Sequence, residues 1–279
     1  MLATRILTAV ILVPLVLAAM FALPPFGWAV ASLAAIVVAA VEWANLAGYR
    51  REGRLLFVGG VLLIGAGLLL SPWSGFGRGW PDRVVLAICG VATLFWLFVA
   101  PPWLVRRWKP ASPLLAGGTG WIVLVGAWVS VVELQAHSPW LALAAMAIVW
   151  IADTAAYFAG RAFGRRKLAP EVSPGKTWEG VYGGLAAVAV YALVLVPLAS
   201  AGGYAQAVSP VAVAVWVALA LALTALSVTG DLFESLLKRQ AGVKDSGRLL
   251  PGHGGVLDRI DALLAAMPAA ALLAVAFLR

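Results

Sequence analysis

Charged side chains are scarce in this chain: 11% of its 279 residues are Asp, Glu, Lys or Arg, where a soluble domain carries about 25%. Water is therefore not its main solvent. Cysteine is nearly absent too. Cys89 stands alone, so an intrachain disulfide is excluded, and its place inside an apolar block reads as a small core residue. The long apolar blocks show no alternation of polar and apolar residues, which excludes a transmembrane barrel. No soluble domain presents the basic residues, so the net charge of +8 does not point to nucleic acid as a partner. No A-x-A cleavage site follows the first apolar run, so the segment behind Arg5 is expected to remain as a helix rather than leave as a signal peptide. Internal repeats and low-complexity tracts are lacking as well.

What the chain does have is apolar length. The blocks 6–23, 55–70, 84–100, 181–200, 211–228 and 262–278 carry no charge at all, and about 20 predominantly apolar residues suffice for a helix to cross the hydrocarbon core. The pattern predicts an all-α, polytopic integral membrane protein with about nine transmembrane helices, roughly 6–23, 28–47, 55–71, 83–100, 117–134, 139–158, 179–199, 211–230 and 262–278. Glu42 and Asp153 fall near the ends of two of them. Pro24-Pro25, Pro72, Pro101-Pro102 and Pro139 mark the connectors. All but Arg78, Arg83 and Arg279 of the 20 basic residues fall in alternate connectors. Because Lys and Arg stay on the cytoplasmic side, the N-terminus is expected in the cytoplasm and the C-terminus outside. Residues 1–135 read as N-terminal membrane helices, and 136–279 as a catalytic membrane region with cytoplasmic polar segments 153–180 and 231–261. The tryptophans, among them Trp28, Trp73, Trp103, Trp140 and Trp178, sit mostly near block ends, as interfacial anchors do.

The two polar segments hold the candidate chemistry. Asp258 and Asp261 share one face if their segment is helical, while Asp231 and Ser235 lie one turn apart on a helix arriving from the opposite direction. Two such ends meeting would gather three carboxylates at the membrane surface, a hard-oxygen set suited to Mg²⁺ with substrate phosphates. The competing reading is a set of salt bridges in a solvated loop. Against it, Asp231 and Asp261 abut apolar blocks, where ionisable groups are expensive and usually functional. Lys238, Arg239, Lys244 and Arg248 suit either a polyphosphate or anionic lipid headgroups. The run Gly252-His253-Gly254-Gly255 offers bare backbone to a phosphate, though no P-loop pattern is present. His253 reads equally as a phosphate donor, a proton carrier or a structural loop residue.

Taken together, Ser235-Leu236-Leu237-Lys238-Arg239, Lys244-Asp245-Ser246-Gly247 and Pro251-Gly252-His253-Gly254-Gly255-Val256-Leu257-Asp258-Arg259-Ile260-Asp261 resemble the C-terminal signature of phosphatidate cytidylyltransferases, the CDP-diacylglycerol synthases. The other stretch is similar to a second polar segment of that family, with Asp153, Gly160-Arg161, Phe163-Gly164, Ser173-Pro174, Lys176-Thr177 and Glu179-Gly180 in place. The resemblance implies transfer of the cytidylyl group of CTP to phosphatidic acid, giving CDP-diacylglycerol and pyrophosphate for phospholipid biosynthesis. It implies Mg²⁺, with a second cation left open, and an enzyme in the cytoplasmic (inner) membrane whose active site faces the cytoplasm among membrane lipids. A homodimer is left open too. Carried over, Asp231, Asp258 and Asp261 are the metal-associated carboxylates, and with Lys238 and His253 they form the catalytic set. Asp153, Ser173, Lys176, Thr177, Ser235, Arg239, Lys244, Asp245 and Arg259 are the substrate-binding set. Three rivals are weaker. One is a related enzyme using another lipid phosphate. A transporter would scatter its acidic residues along several helices. A CDP-alcohol phosphotransferase would need a D-x-x-D-G-x-x-A-R run, which is absent.

Overall fold

Proline placement and apolar length cut the chain into helices much where the sequence predicts. The structure, a computed structural model, describes residues 2–71, 79–110, 112–201 and 209–278. Met1, the connector at Pro72 and Trp73, and the outer-side residues Arg78 and Arg279 lie outside the described residues. The helices are α1 (Leu2–Ala22), α2 (Pro25–Leu46), α3 (Arg51–Leu70), α4 (Asp82–Leu94), α5 (Ala100–Arg106), α6 (Pro113–His137), α7 (Pro139–Phe163), α8 (Trp178–Ala201), α9 (Pro210–Gln240) and α10 (Leu257–Leu278). Prolines sit in the first turns of α2, α6, α7 and α9, where a missing N–H costs nothing. Between α4 and α5 the helix widens into a π-turn, Phe95–Val99, just before Pro101-Pro102. Two residues without N–H cannot continue the α-helical ladder, and the wider turn accommodates them.

Eight helices among the described residues are long and apolar enough to cross a membrane. The first expected span falls on α1, of which Val10–Ala22 is a shorter apolar helix. The bundle is built around α6, whose membrane-length stretch is 72% buried against 17% for α3. Helices α2, α4 and α10 pack on α6, and α10 in turn packs on α9. Indole donors stitch this core. Trp28, Trp43, Trp80, Trp121 and Trp128 each donate Nε1–H to a backbone carbonyl of a different segment, those of Val131, Ala116, Val129, Phe57 and Ala29. Trp28 and Trp103 are not open to a surrounding interface as anchors would be. Both are buried, whereas Trp140 and Trp178 are exposed as expected. A polar N–H on a large apolar ring serves inside a bundle as well as at its rim.

One element departs from the all-α expectation. Between α7 and α8 the chain forms an antiparallel hairpin, β1 (Lys167–Ala169) and β2 (Ser173–Thr177), pairing Lys167 with Thr177 and Ala169 with Ser173. Glu179 on the first turn of α8 pins its base, accepting from the N–H groups of Arg165 and Arg166. Its hydrogen bond to the Arg166 side chain pushes that guanidinium's pKa up. Two helices flanking so short a connector must pack closely. Small residues allow it, with Gly180 against the Ala156 carbonyl and Gly184 against that of Ala152. Cross-contacts bring the polar connectors to one end of the bundle. Arg239 Nε donates to the Val172 carbonyl, Gln240 Nε2 to the carbonyls of Arg107 and Trp108, and Thr8 Oγ1 to that of Pro251.

Candidate active site

At that end α9 runs on beyond its apolar block to Gln240, and α10 begins at Leu257. Asp231, Ser235 and Lys238 thus belong to α9, while Asp258 and Asp261 occupy the first turns of α10. The helices touch at Gly230, where a Cβ would lie 2.5 Å from the Asp261 carbonyl oxygen. Only glycine permits that approach, and it sets Asp231 beside Asp261. Asp153, exposed on α7, completes a group of three carboxylates within electrostatic reach of one another. Lys176 of β2 leans over them, its Nζ 2.5 Å from Asp231 Oδ2, and Ser235 Oγ donates to Asp231 Oδ1 at 3.4 Å.

Asp258 is placed differently. Its Oδ1 accepts from Lys238 Nζ at 2.7 Å, and its Oδ2 accepts from the N–H groups of Ser246 and Gly255 at 2.9 and 2.8 Å. Ser246 Oγ lies 3.0 Å from the same oxygen. The carboxylate is buried and its hydrogen-bonding capacity is taken up within the protein. Lys238 is likewise enclosed, paired with both Asp258 and the buried Glu234 one turn before it. Neither residue is free to meet a substrate in this arrangement.

The glycine run has a similar explanation. Gly254 holds φ +83°, and a Cβ there would lie 2.6 Å from Asp258 Oδ2. At Gly255 a Cβ would overlap Ser246 Oγ and a carboxylate oxygen of Glu42. The bare backbone expected to approach a phosphate is here faced by the protein's own carboxylates. Glu42, from α2, accepts from Val256 N at 3.1 Å, Leu257 N at 2.8 Å and Ser246 Oγ at 2.9 Å. His253 is half-buried within a turn closed by its own N–H to the Leu250 carbonyl, and its Nδ1 is buried without a partner among the described residues.

The remaining candidates divide by engagement. The Thr177 hydroxyl accepts from Gly180 N at 3.1 Å and so caps α8, and Arg239 holds the hairpin turn. Ser173 is half-buried on β2. Asp245 is exposed at the rim. Lys244, Arg248 and Arg259 are exposed, and their side chains make no ion pair or hydrogen bond among the described residues. Exposed cations in and just after the segment that joins α9 to α10 suit a polyphosphate. Glu42, Glu234 and Ser246 were not singled out from the sequence as site residues. A carboxylate in an apolar span and the four-residue spacing from Glu234 to Lys238 were the signals available.

Among the described residues no three His, Cys, Asp or Glu side chains are arranged to hold a metal ion. The donors fit Mg²⁺ in its usual manner, one or two carboxylates completed by water and substrate phosphates, with Asp231 and Asp261 as those donors. They do not fit an all-protein cage.

Proteins of named activity match nearly the whole chain. The chain is 40% identical over 276 residues to the phosphatidate cytidylyltransferase of Pseudomonas aeruginosa, covering 96% of this chain and 95% of that protein. It is 37% identical over 284 residues to that of Haemophilus influenzae, covering 96% of each. That of Bacillus subtilis is 43% identical over 124 residues, 44% of this chain. Residues 3–277 match the model of the Cytidylyltransferase family, and the chain belongs to that family.

Proposed function

We propose that this membrane protein joins CTP to phosphatidate, releasing pyrophosphate and leaving CDP-diacylglycerol in the bilayer, as the names of its relatives imply. The observation that carries the reading for these residues is the meeting of Asp231 and Asp261 at Gly230, under Lys176. An oxygen of the lipid phosphate attacks the α-phosphorus of CTP, and the bond from that phosphorus to the bridging oxygen of the β-phosphate breaks. Electrons pass to the departing pyrophosphate. A phosphate anion is already a nucleophile, so no base need remove a proton, and the protein's task is positioning and charge neutralisation. Lys176, Lys244 and Arg259 are suited to hold phosphate oxygens. Mg²⁺ held by Asp231 and Asp261 would supply further neutralisation of phosphate charge. Asp258 and Lys238 support the site from behind.

The end carrying the site is read as cytoplasmic, in the inner membrane, because most of the chain's Lys and Arg lie in the connectors assigned to that side. Acyl chains then stay in lipid while the phosphate meets CTP from the cytosol. A homodimer remains an expectation of the resemblance alone. Incubation with labelled CTP, Mg²⁺ and phosphatidate should yield CDP-diacylglycerol and pyrophosphate in equal amounts and stop on chelation. Faster turnover of a different lipid phosphate would replace the proposed acceptor, and no lipid-linked CMP with any acceptor would overturn the reaction class. Thiol labelling of Arg165→Cys and Arg248→Cys should occur only from the cytoplasmic side.

A further inference from the structure

We infer that Glu42, which lies some 200 positions before the signature, is a positioning residue for the transfer reaction: its buried carboxylate fixes the loop 246–257 and the first turn of α10, and through them the placement of Asp261. The inference rests on Asp231 and Asp261 being the reacting centre.

The first N–H groups of a helix have no partner inside it, and a side chain just before the helix usually supplies one. In α10 the residue at that place is Val256, whose hydrocarbon side chain accepts nothing. Glu42 does the job from another helix, accepting from Val256 N at 3.1 Å and Leu257 N at 2.8 Å. A carboxylate there is also favoured by the positive end of the helix dipole. The same group takes Ser246 Oγ at 2.9 Å, and that hydroxyl lies 3.0 Å from Asp258 Oδ2. One serine thus links the carboxylate that caps α10 to the carboxylate on its first turn. Among the described residues, the donors Glu42 meets all come from this loop and the start of α10. It is 5% exposed on an otherwise apolar stretch, a costly place for an ionisable group that side-chain packing alone would not call for. The mutual fit leaves no slack, since glycines at 247 and 255 are the space the carboxylate occupies.

Asp261 lies one turn after this anchor, on the same rigid helix. Release of the anchor lets the first turn fray and Asp261 drift from Asp231. Glu42→Gln keeps the shape but removes the charge and converts one acceptor into a donor facing N–H groups. In full-length protein in lipid nanodiscs it should lower kcat by about 10–100-fold, the range for residues that orient a metal ligand from behind. It should raise the Mg²⁺ concentration for half-maximal rate and speed amide hydrogen exchange at 246–257. Glu42→Asp, which restores the charge on a shorter arm, should recover part of each. Asp261→Asn is the control: it should lose turnover with loop exchange unchanged, and normal turnover there would sink the site assignment rather than the role of Glu42. Wild-type kcat and exchange in folded Glu42→Gln would overturn the inference, as would lost turnover with an undisturbed loop. If Glu42→Gln does not fold, Ser246→Ala reads the same network without a charge change. Faster loop exchange with reduced kcat supports the inference, and no change in either overturns it.

Discussion

Asp258 and Asp261 sit one helical turn apart at the start of α10, yet they live in opposite electrostatic surroundings. Asp258 is met by Lys238, two backbone N–H groups and a hydroxyl. Asp261 feels the like charges of Asp231 and Asp153, offset in part by Lys238, and among the described residues its carboxylate accepts one hydrogen bond, from Ala262 N. Close like charges are unfavourable unless something neutralises them. The first environment is complete without a ligand, and the second is not. A satisfied network rigidifies, while an incomplete one at a membrane surface is a place for a cation and phosphates. On the proposed reading, the two signature aspartates divide the work between holding the site's shape and doing its chemistry.

Substitution of each to Asn separates these roles. Asp261→Asn should cut turnover by at least ~100-fold, equivalent to about 2.7 kcal/mol of transition-state stabilisation, with little change in melting temperature. Asp258→Asn should act first on stability. It removes the charge facing a half-buried lysine that keeps Glu234 as its other partner, and weakens hydrogen bonds to Ser246 and Gly255. A loss of about 1–3 kcal/mol follows, and activity per folded molecule should fall less than in Asp261→Asn. Melting curves in detergent beside steady-state rates check both. Equal rate losses with unchanged melting would erase the division.

Much of this was legible in the sequence. Period-free apolar blocks placed most helix ends to within a turn or two, but α9 runs well past its apolar block to Gln240. Spacing put Asp258 and Asp261 on one turn and Asp231 with Ser235 on another. The partners of Asp258 and the glycine run were not legible. They depend on Glu42, whose bonds span more than 200 positions, and no local pattern reports such a contact. The hairpin was missed for a different reason. A connector with Pro170, Pro174 and Gly175 reads as irregular, and the two strands are set by Glu179 and Arg239 reaching in from neighbouring helices. The buried tryptophans were missed because block ends in sequence are not always bundle rims in space.

Lys176 tests the open half of the comparison more gently. It is partly exposed and ion-paired with Asp231, so its loss would remove the proposed phosphate contact and also free a carboxylate. Lys176→Ala should raise KM for CTP by about 10-fold, some 1.4 kcal/mol, more than it lowers kcat. The Mg²⁺ requirement should stay level or fall, opposite to Asp261→Asn. A rise in that requirement would mean Lys176 orders the carboxylates rather than the substrate.

The smallest effect is expected at His253, which stands on the closed side of the comparison despite its position in the signature. Its ring is half-buried, its Nδ1 has no partner among the described residues, and the turn that holds it is closed by its backbone N–H and by the pairing of Leu250 with Gly254. Loop shape therefore does not depend on the imidazole. Removing a buried polar atom that makes no bond carries little penalty, so His253→Ala should melt within a few degrees of the unaltered protein. A phosphate nucleophile needs no proton removed, so turnover should fall by less than about 10-fold, below the 10²–10⁴-fold that general acid–base catalysis contributes. The pH–rate profile should keep its shape. A folded His253→Ala protein that binds CTP and Mg²⁺ yet does not turn over would show that the histidine moves a proton and belongs with Asp261 on the reacting side of the site.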